Sequence, residues 1–226
     1  PGSTPIIRLF FPTDIESNKK YLILSKSMKI LAFTDIHSED KFINNIIRLS
    51  KKENPDIVVC CGDISEFEFR LRDTVNKFKA LGKKLIIIPG NHESNDKLEK
   101  ICNQTNFCVY LHRKIFEFQD VIFVGYGGMG FTLKDKDLEK FSENIIPKLK
   151  DKKVVLLTHA PPYNTKLDYL PWLEDHRGSK SITDLIKKLK PALALSGHFH
   201  ETFGFVDKIN NSILINPGAN GKIIKI

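Results

Sequence analysis

The sequence contains no apolar run approaching the roughly 18 residues that a bilayer-spanning helix requires. Nor does it show the charged start, apolar middle and small-residue end of a secretory signal, because IIRLFF is short and interrupted. The expectation is a soluble, cytoplasmic protein with no membrane partner. Cysteine is scarce. Of the four, Cys60 and Cys61 are neighbours inside an apolar run, and neither they nor Cys102 and Cys108 have zinc-ribbon spacing. All four are expected to be reduced and packed as small hydrophobes. No Gly-Lys-Ser/Thr phosphate loop occurs, which excludes triphosphate-driven motors. His92-Glu93 lacks the second histidine of a zincin helix, since Asp96 stands where it would fall.

The excess of 35 Lys and Arg over 27 Asp and Glu gives a formal charge of +8. Most of it is lysine scattered through helical stretches, such as Lys187, Lys188 and Lys190, which reads as a solvated surface. The functional alternative is a field that steers anionic substrates. Nucleic acid stays open as a partner but is not indicated, because binding it would need clustering on one face. A homodimer is equally open. Gly125-Tyr126-Gly127-Gly128-Met129-Gly130 imitates a dinucleotide-binding turn. It follows a hairpin, however, with no βαβ unit or ribose-binding acid after it, so a loop on the rim of another site is expected.

What the chain does have is a repeated arrangement. The apolar runs MKILAF, DIVVCC, KKLIIIP, KKVVLL and ALAL are each followed directly by a short polar motif. In order, these are Thr34-Asp35-Ile36-His37, Gly62-Asp63, Gly90-Asn91-His92-Glu93, Thr158-His159-Ala160 and Ser196-Gly197-His198-Phe199-His200. If the runs are parallel strands of a sheet, their C-terminal ends share an edge, where open α/β folds hold their ligands. Two aspartates, an asparagine and five of the seven histidines then converge. Imidazole with carboxylate is a transition-metal ligand set.

The rest of the pattern supports a layered fold. Helices are expected over about 40–52, 66–81, 94–103, 137–149 and 181–189, with Phe67, Leu71, Val75 and Phe78 as the stripe of the second. A hairpin is expected about Gln119-Asp120. The end is strand-rich, over 192–195, 202–206, 212–215 and 222–226. Two packed sheets flanked by helices follow, within 28–226. Residues 1–27 read as an N-terminal extension in which IIRLFF and YLIL could add edge strands. Pro1-Gly2-Ser3 resembles a cloning remnant, and Met28 could be an original start.

Hydrolysis of a phosphate ester needs a nucleophile near neutral pH and neutralisation of the phosphoryl oxygens, which two cations about 3.5–4 Å apart can supply. Asp35-x-His37 and His198-x-His200, read as extended segments, each offer two ligands to one side. Asp63 is the natural bridge, and Asn91 offers a neutral carbonyl. Asp-x-His, Gly-Asp, Gly-Asn-His-Glu, His and Gly-His-x-His, in this order over 28–226, resemble the calcineurin-like metallophosphoesterase family. The resemblance implies a four-layer αββα sandwich of mixed sheets. It implies Asp35, His37, Asp63 and His200 at one metal, and Asp63, Asn91, His159 and His198 at the other. His92 is then not a ligand but assists the leaving oxygen, while Asn91 and the metals hold the phosphoryl oxygens during attack by a bridging hydroxide. The two divalent ions could be Mn, Fe, Ni, Co or Zn.

His159-Ala160-Pro161-Pro162, Gly178-Ser179, Glu201 and Asn216-Pro217-Gly218 resemble the small single-domain phosphodiesterase branch. Small phosphodiesters, cyclic nucleotides among them, are therefore the expected substrates. Rival readings are a phosphomonoesterase, a nuclease, and a metal-binding interaction scaffold without turnover. His112 and His176 are read as structural, although the loop carrying His176 could overhang the site. Phe131, Tyr163, Tyr169 and Trp172 are read equally as packing beneath a loop and as a stacking wall.

Overall fold

The computed structural model describes residues 27–226 and the two-residue strand β1 (Ile7–Arg8). YLIL lies outside the described residues. The chain continues through β2 (Lys29–Phe33), α1 (Asp40–Glu53), β3 (Ile57–Cys60), α2 (Leu71–Lys77), β4 (Leu85–Ile87), α3 (Asn95–Asn103) and β5 (Cys108–Tyr110). Next come β6 (Lys114–Phe118), β7 (Val121–Tyr126), α4 (Lys136–Ile145), β8 (Val154–Thr158) and the small ribbon β9 (Tyr169–Leu170) and β10 (Asp175–His176). The last elements are α5 (Lys180–Leu189), β11 (Leu193–Leu195), β12 (Val206–Ile209), β13 (Ser212–Ile215) and β14 (Lys222–Lys225).

The strands form two six-stranded mixed sheets, in the orders β1-β14-β2-β3-β4-β5 and β12-β13-β11-β8-β7-β6. Within the first, β2, β3, β4 and β5 are parallel; within the second, β13, β11, β8 and β7 are parallel. Alternation along each strand assigns side chains to three separate cores. Leu31, Phe33, Val58, Cys60, Leu85 and Ile87 pack beneath α1, α2 and α3. Their neighbours Ile30, Ala32, Ile57, Val59, Ile86 and Ile88 face the other way and meet Phe123, Val155, Leu157 and Leu195 of the second sheet. Val124, Leu156 and Ala194 then face α4 and α5. Three cores between successive layers make the four-layer αββα sandwich. Strands buried on both faces are also why the runs look uniformly apolar rather than alternating.

Three expected elements differ. The helix expected over 66–81 begins only at Leu71 and turns into a tighter helix over Phe78–Leu81. Phe67, Glu68 and Arg70 have positive φ, and Phe67 is 75% exposed instead of joining the stripe. The segment is held by partners a helix could not reach. The Glu68 carboxylate accepts from the backbone N–H and the hydroxyl of Ser94, and the Phe69 carbonyl accepts from Ser38 Oγ. Ser94 stands at the α3 N-cap position, but its hydroxyl goes to Glu68 instead of the helix. The strand expected over 202–206 is instead a helical turn, His200–Thr202, followed by Gly204 at φ +83° and only then β12. Thr202 Oγ1 is buried and donates to carbonyls of Phe199 and Leu167, which fixes the turn. At Ile145 the helix of 137–149 gives way to a tighter turn, because Pro147 cannot donate within an α-helix.

Candidate metal centre

All five motifs lie just beyond the C-terminal ends of parallel strands, β2, β3 and β4 in one sheet and β8 and β11 in the other. Backbone bonds carry the alignment past the strand ends. Asp35 N donates to Gly62 O at 3.0 Å, His37 N to Asp63 O at 3.1 Å, and Gly197 N to His159 O at 2.9 Å. The Asp35 carboxylate then joins the sheets, accepting from His198 N at 3.0 Å and from Thr34 Oγ1 at 2.6 Å.

The reading of Asp35-x-His37 and His198-x-His200 as extended is corrected. Asp35, His37, Asp63 and His198 all have positive φ, between 46° and 70°, and His200 opens a helical turn. Such conformations in residues other than glycine cost about 1–3 kcal/mol each unless the surroundings impose them, and they gather at functional sites. The ligand atoms converge all the same. Among the described residues, Asp35, His37 and His200 bring one donor each within 4.8 Å of one another, as do Asp63, His159 and His198, and also His37, Asp63 and His92. Asn91 joins the second set, with Oδ1 2.9 Å from His159 Nε2. The sequence-predicted residues are therefore all together.

The motif glycines are there for space. A Cβ on Gly90 would collide with the Asp63 carboxylate, and one on Gly197 with Thr34 Oγ1 and Asp35 Oδ2. Gly90 lets a carboxylate from the adjacent strand lie across its backbone, and Gly197 lets one from the facing sheet do so.

Electrostatics follow from burying these charges together. Burial pushes the Asp63 carboxyl up, but hydrogen bonding and charge from His159, with help from His92, outweigh it and hold Asp63 at about 2. Burial likewise pushes His159 down, yet Asp63 and Asp35 raise it to about 9. A field that binds a proton so firmly also binds a cation. His198 goes the other way, to about 4, through burial and the charge of His159. His200 is raised, chiefly by Asp35.

The donor chemistry fits metal. His159 Nδ1 lies 2.9 Å from the Cys61 carbonyl, which can only accept, so that nitrogen carries hydrogen; Nε2 donates to the Asp63–Asn91 side while His159 is protonated, and a cation taking the place of that proton would meet the Nε2 lone pair. His198 Nε2 is buried without a hydrogen-bond partner, as a lone pair reserved for a cation would be. His37 Nε2 and His200 Nε2 face each other at 3.3 Å. Nitrogen and carboxylate oxygen in this mixture suit Mn, Fe, Co, Ni or Zn.

Three neighbours are not among the site residues expected from the sequence. Glu66 Oε2 is 2.8 Å from His37 Nδ1, though out of line for a hydrogen bond. Glu93 is buried behind the motif and accepts from three backbone N–H groups. Phe67 lies with its ring 4.2 Å from that of His92. Only Glu93 had a discoverable cue, as an acid fixed in sequence beside Asn91 and His92.

Other expectations sort cleanly. Phe131 lines the pocket of about 460 Å³ that holds the cluster, its ring centre 4.8 Å from that of His198 in an edge-to-face arrangement, and Gly130 lies beside Asn91 and His198, so the glycine-rich segment does form the rim. His176 is structural, with Nδ1 2.8 Å from the buried Asp168 that ties down the long loop. His112 Nδ1 accepts from Gly127 N at 2.9 Å. All four cysteines are free and buried. Lys150, Lys152, Lys188 and Lys190 line a hollow of about 490 Å³ before β8 and β11, at the strand ends opposite the cluster. No helix among the described residues is long and apolar enough to cross a membrane.

Two mixed sheets that deliver this carboxylate, amide and imidazole set to one edge define a metal-dependent phosphoric ester hydrolase. A family model described as calcineurin-like phosphoesterase matches residues 28–202, and the chain belongs to that family. An uncharacterised protein of Methanocaldococcus jannaschii is 32% identical over 88% of this chain and 92% of its own. A probable glycerophosphodiester phosphodiesterase of Arcobacter nitrofigilis is 28% identical over 77% of this chain and 68% of its own. A crystal structure from Thermus thermophilus shares the fold, with a TM-score of 0.69 at 17% identity over 85% of this chain and 90% of the other.

Proposed function

We propose that the protein hydrolyses small phosphodiesters at a pair of divalent cations. The observation that carries this is the adjacency of two candidate ligand sets, Asp35–His37–His200 and Asp63–His159–His198, linked by the convergence of His37 with Asp63 and by His198 N on Asp35. Asp63 is assigned to both cations, because it belongs to two of the converging sets; Asn91 joins His159 and His198. Bound there, the cations supply a water of lowered pKa and neutralise the phosphoryl oxygens.

The chain's own contribution is orientation and a hydrogen bond to the leaving oxygen. His92 Nδ1 accepts from Phe67 N at 3.3 Å, so the neutral ring carries its hydrogen on Nε2, 3.8 Å from Asp63 Oδ2 and turned toward the cluster. In the proposed step, water oxygen bonds to phosphorus and sheds a proton to solvent, the ester P–O bond breaks, and the leaving oxygen is steadied by a hydrogen bond from His92 Nε2–H while it takes a proton from solvent. Asn91, exposed at the mouth, is placed to donate from its amide nitrogen to a phosphoryl oxygen while its Oδ1 faces His159.

The preference for diesters draws support from the name of the Arcobacter nitrofigilis relative. Steady-state kinetics of metal-loaded protein on bis-p-nitrophenyl and mono-p-nitrophenyl phosphate test it, across Mn, Fe, Co, Ni and Zn. Faster turnover of the diester is expected. Faster turnover of the monoester would overturn the substrate class, and no turnover of either would overturn the enzymatic reading.

A further inference from the structure

Large apolar side chains that stand out into solvent are unevenly placed. Among the described residues, all but Ile115 lie in the segments that leave the C-terminal ends of β3, β7, β8 and β11, the edge that carries the cluster. The most prominent are Phe67, Phe69, Phe131, Tyr169, Trp172 and Phe205; Phe67 is 75%, Trp172 66% and Phe131 64% exposed. A soluble surface rarely gathers apolar groups in this way without an occupant.

The position of the collar restricts that occupant. Anything covering it also covers the metal cluster, so a protein partner or a second copy would close the site that the motifs build. The occupant is therefore the substrate, or the phase that delivers it. A small soluble diester would occupy the pocket at the cluster and leave the collar uncovered. From Phe67 through His92 and His37 to His200, the rings are separated in turn by 4.2, 5.0 and 5.2 Å, and Trp172 lies beyond, donating from Nε1 to Glu201 Oε1. Charge also argues against a polyanion. Glu66, Glu68 and Glu201 stand among the aromatic residues and offset Arg70 and Lys166, which lies beside Tyr169 and Phe205, whereas the hollow lined by four lysines is at the opposite strand ends. Trp, Tyr and Phe on separate loops around a recessed polar site is the composition that settles at a lipid–water boundary.

We propose that the collar docks on a lipid–water interface of low negative charge, and that the substrate class is the phosphodiester of an amphiphile whose acyl chain stays in the apolar phase. This deepens the hydrolytic reading above and rests on it for the chemistry, but docking can be measured without hydrolysis. Trp172 is the sole tryptophan of the sequence and a member of the collar, so its emission reports contact directly. Titration with phosphatidylcholine vesicles should shift that emission to the blue and carry the protein into the vesicle pellet. The double variant Phe69→Ser/Phe205→Ser should weaken partitioning by about tenfold or more. Its turnover of bis-p-nitrophenyl phosphate should stay as in the parent protein.

Absence of both a blue shift and co-sedimentation would overturn the docking. So would partitioning that the double variant leaves unaltered. A blue shift that grows with protein concentration in the absence of lipid would overturn it too, assigning the collar to a second copy. Vesicle binding without turnover of any ester would leave the docking standing and sink the hydrolytic reading; turnover without vesicle binding would do the reverse.

Discussion

The Glu93 carboxylate accepts the backbone N–H of Asp63 at 3.1 Å, which ties the last residue of the motif after β4 to the aspartate after β3. The same carboxylate accepts Gly90 N at 2.9 Å, and both the N–H and the hydroxyl of Ser65 at 2.8 Å. Burial and the nearby Asp63 charge push the Glu93 carboxyl up, and these donors pull it back. Two loops thus meet on one side chain that itself holds no metal. Glu93→Gln keeps the shape but turns an amide NH₂ toward backbone donors. Metal affinity should fall tenfold to a hundredfold, as for other groups that orient ligands. Calorimetric metal titration checks this, and unchanged affinity would reduce Glu93 to packing.

His92 offers a cleaner separation of roles. It lies within 4.8 Å donor range of His37 and Asp63, so proximity alone would allow it as a ligand. Its Nδ1 is engaged with Phe67 N, however, and its Nε2 carries the hydrogen. His92→Ala should therefore retain the parent metal content while turnover falls about a hundredfold or more. By contrast, Asp63→Ala should lose at least one equivalent. Elemental analysis beside steady-state kinetics checks both, and metal loss from His92→Ala would reassign that residue.

The layers and the residues that gather at the candidate centre were legible because both are written locally. Runs such as DIVVCC and KKVVLL are apolar throughout when a strand is covered on two faces, and each ends in its polar motif. What could not be read was how the chain turns between them. Residues 66–70 have helical composition, yet contacts of Glu68 with Ser94 and of Ser38 with the Phe69 carbonyl override it. Those partners are 26 and 31 residues away in sequence. The left-handed backbone of Asp35, His37 and His198 was hidden for the same reason, since the bonds that impose it cross between strands. Glu93 was visible as a letter but not as the joint between two loops.

Packing at Gly197 makes a prediction that is selective between the two ligand sets. Its Cα faces Thr34 Oγ1 and Asp35 Oδ2, neither of which lies at the end of a long flexible side chain. Gly197→Ala must displace Asp35 or the β11 loop, at about 1–3 kcal/mol for an overpacked site. The Asp35–His37–His200 set should weaken by about tenfold, with the Asp63–His159–His198 set less affected. Competitive titration resolving two equivalents checks it; equal weakening of both would mean the whole edge had shifted.

His112 supplies a pH dependence away from the cluster. Burial, aided by the Arg113 charge, lowers it from 6.5 to about 4, against weaker opposing pulls from Asp135 and Glu99. Its Nδ1 must stay unprotonated to accept Gly127 N, which holds the rim loop where that loop crosses Pro89. Between pH 4 and 6.5 the unfolded chain therefore binds a proton that the folded one refuses. This contribution to stability is present above pH 6.5 and is lost as pH falls toward 4. The full shift would correspond to about 3 kcal/mol, and partial exposure discounts it to about 2 kcal/mol. Urea unfolding of metal-free protein at pH 7.5 and 4.5 should show that loss in the parent and a smaller one in His112→Gln, whose amide can still accept from Gly127. Equal losses in the two proteins would show that another group carries the dependence.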